Sequence, residues 1–308
     1  MNAKKWLLSC FLFFLSLIFL VELKYQIYPG NRHVVDYIVN EYIPTLINKK
    51  YNTLIIGDSL AHNAFSNLLL KDNILDLTTN QAISMAGNYF LLNRYLEKNQ
   101  APKKLYLFCI PDLLHNDLNQ IFTYAYFESV FTRKKEIKEI KEIKPNLYSS
   151  KFDLNKFLER RKKSLNFGGY KPKKRISYIK INEKSLKKVS NYMNKKIQTN
   201  ILSAQKNKQK IDNIPKIYLD KIIKLCKNKN ISFTLVIEPM PMEYNIIFKD
   251  SKWNKYLQMK EINYLNINDY YVFNTYFFKN DATHISGKVN QYYQNLIDKY
   301  ILDIYNNE

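Results

Sequence analysis

Two short stretches, far apart in the chain, carry side chains that could do nucleophilic chemistry. Gly57-Asp58-Ser59 offers a hydroxyl group, and Asp281-Ala282-Thr283-His284 offers a carboxylate three residues before an imidazole. A serine hydroxyl becomes a good nucleophile only when a base removes its proton, and an imidazole oriented by a carboxylate is a common base. Ser59, His284 and Asp281 could therefore transfer an acyl group through a serine ester.

Each of these signals has a structural alternative. Gly-Asp-Ser is a common turn tripeptide, in which Ser59 would only begin a helix. A second stretch with Asp and His three residues apart runs from Asp112 to His115. No serine accompanies it in the matching order, so we interpret His115 as structural. His62 lies one turn beyond Ser59 and is expected on the surface of a helix.

The apolar runs around these stretches predict alternating strands and helices. Continuous short apolar runs are typical of parallel strands that are covered on both faces. We expect strands at residues 53–56, 73–77, 105–110, 231–237 and 271–273, and helices over residues 60–70 and 87–99, from Pro215 and from Ser286. This alternation implies an α/β fold, a three-layer, doubly wound parallel sheet. Ser59 would lie at the carboxyl end of the first strand, where open α/β sheets place their sites.

The N-terminus predicts a membrane anchor. Lys4 and Lys5 precede an apolar run over residues 6–21. As a helix, this run would be about 24 Å long, close to the thickness of a bilayer's hydrocarbon core. The run ends in bulky side chains without a small-residue cleavage pattern, so we expect an uncleaved signal anchor in the inner (cytoplasmic) membrane. The leading lysines favour a cytoplasmic N-terminus and an extracytoplasmic body. A buried core helix is the alternative.

The positive charge is concentrated in one part of the chain. The net charge is +21, and residues 133–210 hold 25 Lys and Arg residues against 6 Asp and Glu. Such a segment attracts anionic glycans, lipid headgroups or phosphate. The alternative is a solvated basic surface that follows from AT-rich codon usage. Nucleic acid is not an expected partner, because the anchor places the domain outside the cytoplasm.

These patterns divide the chain into five parts. We expect a transmembrane anchor over residues 1–23, a connector over 24–50, an α/β domain formed by 51–117 and 214–308, and a basic, mostly helical insertion over 118–213. Within the insertion, a three-residue Glu-Ile-Lys repeat before Pro145 predicts an exposed amphipathic helix. Only 3 Cys and 4 His are present, so we expect no disulfide scaffold, no metal site and no cofactor.

The order of the two chemical stretches resembles the SGNH/GDSL hydrolase superfamily. In that family, a Gly-Asp-Ser block after the first strand holds the nucleophile, and a late D-x-x-H block holds the Asp and the His. The resemblance covers roughly residues 51–117 and 214–301. It implies that Ser59 is the nucleophile, that His284 is the base and that Asp281 orients His284.

The family's oxyanion hole matches this chain only in part. The segment from Asn80 to Gly87 has the outline of the second family block. The resemblance therefore implies that the backbone N–H groups of Ser59 and Gly87 bind the oxyanion. The third block, usually G-x-N-D, is degenerate here, and Asn116 is the nearest candidate for its side-chain donor.

The resemblance and the anchor together imply a function. We expect a membrane-anchored serine esterase or O-acyltransferase that acts on acyl esters of a cell-envelope polysaccharide. Tethered members of the superfamily often work beside a multi-pass membrane protein that supplies the acyl group, which makes such a protein the expected partner. The alternative is a catalytically degenerate SGNH scaffold that binds an anionic glycan or a membrane partner.

Overall fold

The structure is a computed structural model. It describes residues 3–27, 34–65, 73–79, 83–118, 127–128, 130–148, 191–260, 262–273, 277–278, 285, 289, 293–294 and 296–297, with only the backbone at 22, 24–27, 191–197 and 200. The chain forms two compact units, one comprising residues 1–45 and 119–171 and the other comprising 46–118 and 172–308.

Helices and strands alternate along the described residues. The α-helices are α1 (Ala3–Ile27), α2 (Val34–Asp36), α3 (Ile43–Thr45), α4 (Ser59–Phe65), α5 (Ser84–Leu96), α6 (Pro111–Leu114), α7 (Lys134–Ile143), α8 (Asn191–Asn207), α9 (Asn213–Asn228), α10 (Met242–Lys249) and α11 (Lys252–Met259). The strands are β1 (Thr53–Gly57), β2 (Ile74–Asp76), β3 (Lys104–Cys109), β4 (Ser232–Ile237) and β5 (Asn263–Asn266). A π-helical turn, Tyr37–Tyr42, joins α2 to α3. The described residues of 289–297 are helical, and we refer to them as the C-terminal helical segment.

Helix α1 has the properties of a membrane span. Its Ala3–Val21 part has a mean hydropathy of 1.9, and none of it is buried inside the protein. Large apolar side chains such as Phe14 and Phe19 are more than 60% exposed. A helix that is apolar on all sides is typical of a buried or membrane-spanning environment. By length and composition, α1 can therefore cross a membrane once.

The first unit also contains the helix that the Glu-Ile-Lys repeat predicts. This helix, α7, begins with a capping box in which the backbone N–H of Arg133 donates to Glu136 Oε2 at 3.2 Å. Ile140 is fully buried, whereas the lysines of α7 are exposed. The repeat therefore produces an amphipathic helix, as expected from its composition.

The second unit is built on a five-stranded sheet in which every strand is parallel to its neighbours. The strand order is β2-β1-β3-β4-β5. Gly57 lies beside Phe108, and Phe108 lies beside Val236, so β3 is the central strand between β1 and β4. The prediction of an α/β fold with a parallel sheet is confirmed. The order of the strands reverses between β1 and β3, which creates a crevice at their carboxyl ends.

Apolar packing fixes the helices that connect the strands. On α5 and α9, the rings of Phe90 and Tyr218 meet at 5.6 Å between centroids in a T-shaped contact. Leu91 and Leu219 are also fully buried. Helix α5 precedes β3 and α9 precedes β4, so this contact orders two successive crossover connections beside the central strands.

The last strand differs from the expected one. Residues 271–273 were predicted to form it, but in the structure they have no regular secondary structure, and β5 is formed by Asn263–Asn266. The two asparagines of β5 break up the apolar run that would have identified a strand. Its pairing with β4, which sets Leu265 beside Val236, is a long-range interaction that the local pattern does not contain.

Candidate functional site

Gly57 ends β1 where the strand passes very close to β3. A Cβ atom added at this position would lie 2.6 Å from the carbonyl oxygen of Phe108 and 2.8 Å from its Cβ. Real Cβ atoms do not approach other atoms so closely, so a larger residue would force the two strands apart. The glycine of Gly-Asp-Ser therefore permits the close pairing of β1 with β3.

Asp58 joins the ends of these two strands to the start of α4. Its side chain is fully buried. Oδ1 accepts a hydrogen bond from the backbone N–H of Leu60 at 2.8 Å, and Oδ2 accepts one from Ile110 at 2.9 Å. The carboxylate thus satisfies a free N–H in the first turn of α4 and holds the residue that follows β3.

Ser59 lies where the sequence places it. It is the first residue of α4, immediately after the carboxyl end of β1, and it is partly exposed. Asp58 on one side and the turn of α4 on the other determine its position. A partly exposed serine at this edge of the sheet is accessible from the side where such sheets bind their ligands, which is the minimum requirement for a nucleophile.

A second network lies beside α4, in the segment that follows β2. The Nδ1 atom of His62 lies 3.1 Å from the carbonyl oxygen of Thr78. Asp76 Oδ1 accepts hydrogen bonds from the N–H and the O–H of Thr78, at 2.8 and 2.6 Å. Burial raises the pKa of Asp76 to about 6. His62 was expected on a helix surface, but it is only partly exposed and connects α4 to this segment.

The two other candidate oxyanion donors lie in different elements. Gly87 is buried in the first turn of α5, a helix that begins near the carboxyl end of β2. Asn116 is largely buried in the turn after α6, where its Oδ1 accepts a hydrogen bond from Leu118 N–H at 3.1 Å. The oxyanion-binding roles of Gly87 and Asn116 stay predictions.

Asp281 and His284 lie outside the described residues, but the residues on the two sides of their stretch pair with each other. Phe278 and Ile285 form an antiparallel bridge. Beyond it, Gln294 Nε2 in the C-terminal helical segment donates to the carbonyl of Ala64 in α4 at 2.9 Å. The segment that follows the expected acid–base pair therefore packs against the helix that begins with Ser59.

Glu238 was not recognised from the sequence. It follows β4 directly and is fully buried beneath α4. Tyr293 O–H, in the C-terminal helical segment, donates to Glu238 Oε1 at 2.9 Å. Burial raises the pKa of Glu238 well above its ordinary value, and the negative charge of Asp58 raises it further. An acidic residue immediately after an apolar strand was the signal that could have identified it.

A carboxylate–imidazole pair is present elsewhere among the described residues. His115 Nδ1 lies 2.7 Å from Asp212 Oδ2, and Asp212 also forms an ion pair with Lys210. Asp212 is almost completely buried and precedes α9, whereas His115 follows α6. The ring of Trp253 contacts that of His115 edge to face. This arrangement agrees with the structural role expected for His115, because it fastens the end of α6 to the start of α9.

One cavity in the second unit is remote from Ser59. Its volume is about 350 Å³, and Cys226, Phe233 and Lys260 contribute to its lining. Phe233 is at the amino end of β4, so the cavity lies at the opposite edge of the parallel sheet from Ser59. Within the described part of the chain, no group of three His, Cys, Asp or Glu side chains could hold a metal ion.

Comparisons with known proteins give no assignment. No protein-family model matches the chain, and no curated protein matches it. Function must therefore be inferred from the residues and their geometry.

Proposed function

We propose that this protein is a membrane-anchored, SGNH-like serine esterase or O-acyltransferase that acts on acyl esters of a cell-envelope polysaccharide. One observation carries the proposal. Gln294, ten residues after His284 and in the helical segment behind the stretch that resembles the late family block, hydrogen-bonds to Ala64 in the helix that begins with Ser59. The helical segment that follows the proposed base is thus a neighbour of the helix that begins with the proposed nucleophile, which supports the proposal.

The topology supports the same proposal. With right-handed crossovers, the strand order places α5 and α9 on one face of the sheet and α4 on the other. The C-terminal helical segment contacts α4 through the hydrogen bond from Gln294 to Ala64. Helices on both faces of the sheet support our proposal of a three-layer, SGNH-like fold. Ser59 follows β1 at the reversal of strand order, which is where such sheets bind their ligands.

The chemistry follows from the proposed roles of three side chains. Ser59 Oγ attacks the acyl carbonyl carbon while His284 removes its proton, and Asp281 orients the ring of His284. The tetrahedral intermediate carries its negative charge on the former carbonyl oxygen. The backbone N–H groups of Ser59 and Gly87, with the side chain of Asn116, bind that oxygen. When the intermediate collapses, the ester C–O bond breaks and His284 gives its proton to the leaving alcohol.

The second half of the reaction regenerates the serine. Water or a sugar hydroxyl attacks the acyl-serine, His284 takes the proton of the attacking group, and that proton returns to Ser59 when the acyl–serine bond breaks. Attack by water makes the protein an esterase, and attack by a sugar hydroxyl makes it an O-acyltransferase. The anchor favours transfer, since a multi-pass membrane partner could then deliver the acyl donor to an extracytoplasmic site.

A serine-reactive fluorophosphonate tests the nucleophile. We expect the full-length protein in detergent to gain the mass of one phosphonate, and the Ser59→Ala variant to gain none. Ser232→Ala is the matched control, because Ser232 is exposed at the opposite edge of the sheet, and it should be labelled like the unmodified protein. His284→Ala should slow labelling by about 10²-fold or more. Undiminished labelling of Ser59→Ala would contradict the assignment.

A further inference from the structure

Two carboxyl groups meet beneath the first turn of α4. Asp58 and Glu238 are both 0% exposed, and they lie within hydrogen-bonding reach of each other. Both oxygens of Asp58 already accept backbone N–H groups, from Leu60 and Ile110. On Glu238, Oε1 accepts from Tyr293 and the backbone N–H of Ala61 lies near the carboxyl group, whereas Oε2 has no hydrogen-bond partner among the described residues.

A hydrogen bond between two carboxyl groups requires a proton. Two ionised carboxylates would repel each other strongly at this buried position, so the pair holds one proton between them. Two backbone N–H groups favour the ionised form of Asp58. At Glu238, Tyr293 O–H and Ala61 N–H also favour the ionised form, but burial and the charge of Asp58 outweigh them and raise its pKa, so Glu238 is the neutral acid. The other groups that face Glu238 are the thiol of Cys109 and the phenol of Tyr293, which are both neutral donors or weak acids.

We propose that Glu238 is a positioning residue whose neutral carboxyl group donates a hydrogen bond to Asp58 and so fixes the start of α4, and with it Ser59. Glu238 is itself held firmly. Its backbone N–H donates to Cys109 at 3.1 Å, and its carbonyl accepts from Asn268 Nδ2 at 3.0 Å. The effect on Ser59 chemistry rests on the proposed function, whereas the effect on α4 does not.

The shared proton makes the start of α4 sensitive to pH. The pKa of Glu238 is raised from its ordinary value of 4.5 by burial and by Asp58. Above pH 4.5 the unfolded chain loses this proton while the folded chain keeps it, so this group lowers stability progressively as the pH rises towards the folded-state pKa. Once the proton leaves the folded protein, two buried carboxylates face each other and the hydrogen bond is lost.

The variants Glu238→Gln and Glu238→Leu distinguish the hydrogen bond that Glu238 donates from the titration of its carboxyl group. A glutamine amide can donate to Asp58 but has no proton to lose, whereas leucine removes the donor. We expect the unmodified protein to show an infrared carboxylic-acid carbonyl band that is absent from Glu238→Gln. We also expect its denaturant midpoint to fall more steeply than that of Glu238→Gln as the pH rises from 5 to 9, a range set by the ordinary carboxyl pKa.

Two further measurements report on position. Hydrogen exchange of the amides in α4 should be accelerated in Glu238→Leu and unchanged in Glu238→Gln at neutral pH. Phosphonate labelling of Ser59 should be slowed by up to about 100-fold in Glu238→Leu, since small displacements of a reacting group cost rate steeply. We expect labelling of the unmodified protein to fall at high pH and labelling of Glu238→Gln not to fall.

The outcomes distinguish the two proposals. If Glu238→Gln retains the acid band and the pH slope of the unmodified protein, the positioning role is overturned, and this comparison holds even if Glu238→Leu does not fold. The positioning role would also be overturned if Glu238→Leu were labelled at Ser59 as fast as the unmodified protein and its α4 amides exchanged at the unmodified rate. That result would leave the proposed function intact. If the band, the slope and the exchange change as expected but Ser59 is never labelled, the positioning role of Glu238 for α4 stands and the esterase proposal fails.

Discussion

At the scale of single residues, the position of the Ser59 hydroxyl depends on neighbours that have no chemical role of their own. Gly57 allows β1 to run against Phe108, and Asp58 fixes both the first turn of α4 and the residue after β3. A nucleophile works only when its position is constant relative to the base and the substrate. We therefore expect substitutions at these neighbours to damage the site without touching the substrate.

Gly57→Ala tests the close crossing of β1 and β3. The added Cβ would meet a backbone oxygen of Phe108 rather than the end of a flexible side chain, so the strands themselves must shift. We expect a loss of about 1–3 kcal/mol in the free energy of unfolding, measured by denaturant titration of the full-length protein in detergent. Lys224→Ala, at an exposed site on α9, should change it by less than about 0.5 kcal/mol. Equal stability of Gly57→Ala and the unmodified protein would contradict this packing.

The individual residues of the site differ in how far the sequence could predict them. Ser59 was predictable because its tripeptide directly follows an apolar strand and needs only local context. Glu238 could not be predicted, because its contact with Asp58 depends on the sheet. Strands β1 and β4 pair with opposite sides of β3, which brings the residues after their carboxyl ends close together. Asp281 and His284 stay predictions from their spacing and from the family resemblance.

At the scale of elements, prediction succeeded where local sequence determines structure. Apolar runs identified β1, β3 and β4, since strands buried on both faces need continuous apolar side chains. Likewise, the helix predicted from Ser286 is present in its described residues, where Val289 and Tyr293 are buried at helical spacing. Strand β5 was missed because half of its residues are asparagine and its place is set by pairing with β4.

Helix α5 shows how capping moves a boundary. The helix was predicted to begin at Gly87, but it begins at Ser84. Ser84 has a φ of 58°, and its Oγ accepts a hydrogen bond from Ala86 N–H at 3.2 Å. This local bond satisfies one of the free N–H groups of the first turn. Gly87 therefore lies within the first turn of the helix rather than at its start.

At the scale of the whole molecule, an apolar helix precedes an α/β unit. The exposed surface of α1 matches a lipid environment better than water, and Ala3–Val21 is long enough to cross a membrane. Most of the basic segment at residues 133–210 lies outside the described residues. Its role in attracting an anionic glycan stays a hypothesis that follows from its charge.

An export reporter tests the expected side of the membrane. Alkaline phosphatase folds only after export, so its fusion after Glu308 should be active if the α/β unit is extracytoplasmic. Replacing Leu12, Phe13 and Phe14 by lysine should abolish this activity, because charged residues at the centre of a span are costly to insert. A fusion of β-galactosidase at the same point, active only in the cytoplasm, is the control. Activity of that control fusion alone would contradict the expected topology.

The central claim is that Ser59 and His284 act together, and the most direct measurement is the distance between Ser59 Oγ and His284 Nε2. A crystal structure of the full-length protein, without inhibitor, gives it directly. We predict a separation of about 3–4 Å, close enough for the imidazole to remove the hydroxyl proton. A structure with His284 at the opposite edge of the sheet from Ser59 would contradict the serine mechanism.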